Sequence, residues 1–148
     1  MSSERETRLL RALFALIGVT AIVTGLFVVL TGSSGQVDGS QAAPSVESEL
    51  RFFAVFWIAY GVAALRVAPR ADREIFMVRA LAAFLFLGGL ARAIAWIADG
   101  KPHGLFIGLL VLELLIPPVI LGLQHRLLAT SGQRAGPRAG LTGPHRSE

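Results

Sequence analysis

Apolar residues gather into four long runs, near residues 9–30, 50–67, 75–97 and 105–123, and polar residues fall mostly between them. A helix needs about 20 residues to cross the hydrocarbon of a bilayer, so the runs predict four membrane-crossing helices. The second run is the weakest. Its uncharged part covers only residues 52–65, and it reaches a full crossing when Arg51 and Arg66 extend towards opposite interfaces. Turn formers punctuate the intervals. Residues 31–48, rich in Gly, Ser and Gln, read as a solvated polar connector, with Glu47 and Glu49 in the first turns of the second helix. Asp72 stands where a capping residue would open the third helix, and Asp99-Gly100-Lys101-Pro102 marks a tight turn before the fourth. The pattern predicts an all-α integral membrane four-helix bundle, up-down-up-down, over residues 1–128. A disordered basic tail is expected over residues 129–148.

Composition agrees with lipid as the main solvent. The 148 residues are 53% hydrophobic and 16% charged, against about 25% charged in soluble chains. The sequence pI of about 11.0 would suit a nucleic-acid partner, but the basic residues sort by membrane side. Arg5, Arg8, Arg11, Arg66, Arg70, Arg73, Arg79, Arg126, Arg134, Arg138 and Arg146 fall on one side, and Arg51, Arg92 and Lys101 on the other. The positive-inside rule then places both termini in the cytoplasm, and no nucleic-acid partner is expected. The first run could be mistaken for a secretory signal. It extends from residue 12 to 30 and meets no nearby A-x-A site, so an uncleaved helix is expected. The chain has no cysteine, which excludes disulfides and thiolate metal sites within it.

Candidate chemistry centres on Glu113, the acidic residue deep in the fourth run. A charge at that depth costs about 2.5–3.5 kcal/mol on insertion scales and calls for a partner, a proton or a polar cavity. Arg92 lies at a matching depth on the third helix, and Glu49 and Arg51 mark the same end of the second. These four residues are expected to form a polar cluster, with Arg92 and Glu113 as the preferred, bidentate pair. Pro117 and Pro118 remove the N–H donors that would meet the carbonyls of Glu113 and Leu114, so a kink is expected there. Gly88 and Gly89 leave space beside Arg92. A ligand-binding role and simple helix registration both fit such a pair. Trp57 and Tyr60 read as packing residues, and small residues at Ala15, Gly18, Ala21 and Gly25 read as a close-packing stripe. His103, His125 and His145 lack metal-ligand spacing. No phosphate loop or nucleophile motif is present. No cofactor or metal is expected, and nothing advertises an enzyme.

Glu49-Leu50-Arg51-Phe52-Phe53 with Tyr60-Gly61, then Arg79-Ala80 and Gly88-Gly89 before Arg92, then Glu113 before Pro117-Pro118, form a recognisable series. Over residues 9–125 the chain resembles the bacterial four-helix membrane proteins grouped as domain of unknown function 4345, themselves similar in layout to DoxX-like proteins. The resemblance implies a compact four-helix bundle in a bacterial cytoplasmic membrane and supplies no catalytic residues. The quinone-linked oxidation associated with some DoxX-like subunits does not transfer through layout. The leading expectation is therefore a small multi-pass membrane protein that binds a lipid-like or small amphipathic ligand, or a partner subunit, at the polar cluster. A proton-coupled transporter acting as a homo-oligomer and a structural assembly subunit are the alternatives.

Overall fold

The computed structural model describes residues 2–134, with side chains over residues 4–130. Four helices follow in order: α1 (Ser2–Thr31), α2 (Pro44–Val67), α3 (Ile75–Asp99) and α4 (Gly104–Arg134). All four are long and apolar enough to cross a membrane, and no strand occurs among the described residues.

Helix ends follow local chemistry. Within α1, Thr24 and Thr31 donate their hydroxyls to the carbonyls of Thr20 (2.7 Å) and Phe27 (2.8 Å), which hides two polar groups inside the helix's own hydrogen-bond system. The helix stops at Gly32, whose φ of +64° is a left-handed conformation that costs glycine little. Pro44 occupies the first turn of α2, where no N–H partner is missed. Asp72 does not cap α3. Glu74 holds that position without a side-chain cap, because Asp72 is drawn away to Arg11, whose Nη2 lies 2.8 Å from its carboxylate. Gly100, at φ +99°, ends α3, and its N–H returns to the carbonyl of Trp96 at 3.1 Å. His103 then accepts the Leu105 N–H through Nδ1 at 3.2 Å and serves the start of α4. Helix α4 passes through Pro117 and Pro118 without a break and reaches Arg134, inside the segment expected to be tail. Near its end the Thr130 hydroxyl bonds back to the carbonyls of Arg126 and Leu127. The rest of the expected tail, residues 135–148, lies outside the described residues.

The helices pack as two antiparallel pairs. In the first, α1 meets α2 backbone to backbone. A Cβ added to Gly18 would lie 2.8 Å from the Gly61 carbonyl oxygen, one added to Gly61 would lie 2.7 Å from that of Gly18, and Gly25 faces Ala54. Small residues drive such contacts in lipid, where no hydrophobic force distinguishes a neighbouring helix from acyl chains. In the second pair α3 lies against α4, with Gly89 facing Glu113 and Leu114. The pairs join through a shared core of Leu10, Phe14, Ala64, Val78, Ile120 and Leu127 among others. Tyr60 adds a hydrogen bond from its hydroxyl to the Leu81 carbonyl (3.1 Å) and stacks between Trp57 and Phe84. That core lies towards the end carrying the 68–74 connection and most of the arginines, called here the basic end. The 32–43 and 100–103 connections mark the opposite, loop end.

Candidate functional site

Depth along a hairpin brings Arg92 and Glu113 together. The tight turn at residues 100–103 folds α4 back on α3, so residues at similar distances from that turn face each other at similar depth. Arg92 Nε donates to Glu113 Oε2 at 2.8 Å. Glu113 is 8% exposed, and Gly88 and Gly89 supply the room for its side chain on the α3 surface. The contact is made through Nε, not as the expected two-point fork. The reason is visible in the other neighbours of Arg92. Its guanidinium carbon lies 5.7 Å from the centroid of the Phe106 ring, and the group also borders a cavity of about 330 Å³ with Trp96, Asp99, Lys101, Phe106 and Leu110. The arginine thus lies between a buried carboxylate and an open space, with its side chain 38% exposed.

The other two expected members of the cluster stand apart from this pair. Arg51 donates from Nε to the Val29 carbonyl at 3.2 Å and faces Glu47, one turn earlier on the same helix, at 3.6 Å. Glu49 is exposed and enters no ion pair among the described residues. Glu47, not Glu49, is the acidic centre of this region. It accepts the Ser33 N–H at 3.1 Å and also bonds the Ser33 hydroxyl. That hydroxyl accepts the Ala42 N–H at 2.9 Å and lies 2.9 Å from the Ser40 carbonyl. Ser33 and Glu47 therefore tie the 32–43 connection to the start of α2. The spacing could have singled Glu47 out, since residues four apart share a helix face and residues two apart do not.

A second, larger cavity lies on the same hairpin towards the basic end. It holds about 730 Å³ and is lined by Arg79, Ala82, Ala83, Phe86, Pro117, Pro118, Leu121 and His125. Arg79 Nε donates to Gln124 Oε1 at 3.3 Å. Gln124 is only 1% exposed, and its Nε2 has no hydrogen-bond partner among the described residues. Sequence reasoning passed over Gln124, although the register that pairs residues 92 and 113 also sets residue 79 opposite 124. No group of three or more His, Cys, Asp or Glu residues able to hold a metal occurs among the described residues.

These features sit on a chain whose residues 9–124 match the family described as Domain of unknown function (DUF4345). The chain belongs to this family. The match takes in all of α2 and α3 and most of α1 and α4, and with them Arg92, Glu113 and both prolines. No curated protein and no solved structure matches the chain. Family membership assigns no activity, and chemistry has to be read from the DUF4345 helices themselves.

Proposed function

We propose that this protein is a small multi-pass protein of a bacterial cytoplasmic membrane that binds a small anionic amphiphile at the loop end of the α3–α4 hairpin. One observation carries the reading: the Arg92 guanidinium, already paired with Glu113, also borders an open cavity with Lys101, Trp96 and Phe106. The cations Arg92 and Lys101 suit a carboxylate or phosphate, Asp99 in the same lining offsets part of their charge, and Trp96 and Phe106 suit an apolar body. Glu113 holds Arg92 in place and keeps its charge compensated while the site is empty. Loosening of α4 at Pro117 and Pro118, where two carbonyls lack their helical donors, belongs to the same proposal. The arginines of the 68–74 connection and of the first turns of α1 support an orientation with both termini in the cytoplasm. Glu49 and Arg51 fall outside the proposed site.

A structural role has an observation of its own. A Cβ on Gly89 would lie 3.1 Å from Glu113 Cβ, so the ion pair sits on a close helix contact that it could serve to register. Mass spectrometry of molecules retained on gentle extraction in native lipid separates the two readings. An anionic amphiphile held by wild type and lost from Arg92→Gln is the expected result. Equal retention by wild type, Arg92→Gln and Lys101→Gln, all folded, would leave registration as the role of the pair.

A further inference from the structure

The basic-end cavity of the α3–α4 hairpin has the shape and chemistry of a lipid site. Its two polar lining residues, Arg79 and His125, sit at one end, while Ala82, Ala83, Phe86, Pro117, Pro118 and Leu121 form an apolar wall. At about 1.5 Å per residue, Phe86 lies about 10 Å deeper than Arg79, and Pro117 about 12 Å deeper than His125. The cavity exists because of residue size. Two alanines on α3 face compact proline rings on α4, where larger side chains would close the gap.

Charge favours an anion at the mouth. No acidic residue lines the cavity among the described residues. Arg79 is held by a neutral amide, Gln124 Oε1, so no carboxylate compensates its charge among the described residues, whereas Arg11 and Arg92 meet carboxylates. Basic clefts between membrane helices at the lipid interface bind anionic headgroups.

We propose that this groove is a binding site for an anionic phospholipid of the adjoining leaflet. Arg79 holds the phosphate with His125 beside it, and one acyl chain runs along Phe86, Pro117, Pro118 and Leu121. A free phosphate would leave the apolar length of the groove unused. A zwitterionic lipid would bring a cation to a mouth that offers no acidic partner. The site is separate from the one at Arg92 and does not depend on it.

The test uses the full chain in vesicles of equimolar phosphatidylglycerol and phosphatidylcholine, with the ratio of the two lipids retained on extraction read by mass spectrometry. Wild type should enrich phosphatidylglycerol, and Arg79→Gln should lower that enrichment about fivefold, the effect of one interfacial arginine. Arg126→Gln, which removes a nearby exposed arginine outside the groove, should leave it unchanged. Enrichment that survives Arg79→Gln, or that falls equally in Arg126→Gln, overturns the proposal. If Arg79→Gln does not fold, Ala83→Leu narrows the groove and keeps the charge. Enrichment must then fall with Ala83→Leu, and a retained wild-type ratio overturns the proposal.

Discussion

The two helix pairs are held together by different means. Between α1 and α2 the contact is made by glycines and backbone carbonyls. Trp57 Nε1 adds a side-chain hydrogen bond to the Thr24 hydroxyl (2.9 Å), and most of the other polar bonds of that pair collect at its loop end around Ser33 and Glu47. Between α3 and α4 an ion pair crosses the interface within the spanning segments, and a cavity opens on either side of it. The first pair has no room to move without lifting backbone from backbone. The second keeps space and charge together. Close packing in one half gives the other half a fixed frame to work against.

The largest effect that should expose this contrast comes from the glycine contact. Gly61→Leu drives a side chain into the Gly18 carbonyl and Ile22, and is expected to destabilise the bundle by about 1–3 kcal/mol, the range for overpacking. Gly108 and Gly122 on α4 have open space where a Cβ would go, so alanine at either should leave stability unchanged or raise it by up to about 1 kcal/mol. Thermal unfolding of the three variants in one detergent checks both halves of the comparison, and equal losses would erase it.

A smaller effect is expected from the ion pair. A double-mutant cycle with Arg92→Gln and Glu113→Gln should return a coupling of about 0.6 kcal/mol and at most about 1.7, the span measured for polar contacts between membrane helices. A coupling near zero would leave α3 and α4 held by packing, without a contribution from the ion pair.

How far these two sites could be read from sequence differs for a physical reason. A charge inside an apolar run must be compensated, and a tight turn fixes which residues of a hairpin share a depth, so Arg92 and Glu113 were legible as partners. Arg51 and Glu49 share the loop end with them but belong to the other pair. How far apart two helix pairs sit depends on side-chain packing, which periodicity does not encode. The choice of Glu49 over Glu47 was a missed local signal, because Arg51 stands one turn after Glu47. Asp72 was assigned to its own helix start when a residue far away in sequence, Arg11, claimed it. The groove at Arg79 had no sequence signal beyond a run of small residues and prolines, since a cavity is defined by what its walls fail to fill.

The smallest expected effect concerns that Arg11–Asp72 bridge, which fastens α1 to the 68–74 connection. Burial by itself raises the Asp72 pKa, but the hydrogen bond from Arg11 and the charges of Arg11 and Arg73 outweigh it, and the carboxyl lies below its ordinary value. A lowered folded-state pKa means that the bridge contributes fully above the ordinary aspartate range near pH 3.8 and is lost as pH falls through the still lower folded value. Because both partners are partly exposed, the contribution is expected at about 1 kcal/mol or less and should shrink in salt. Stability measured for wild type and Asp72→Asn should therefore converge on acidification, and a gap that persists at low pH would assign the difference to something other than charge.

The four-residue turn between α3 and α4 also bears on how the chain is built. Helices so closely linked can leave the insertion machinery as a hairpin, with the guanidinium of the first already meeting the carboxylate of the second. Biosynthesis in that order spares both charges a solitary passage into hydrocarbon. A longer connection at residues 100–103 would separate the two insertion events and expose each charge in turn.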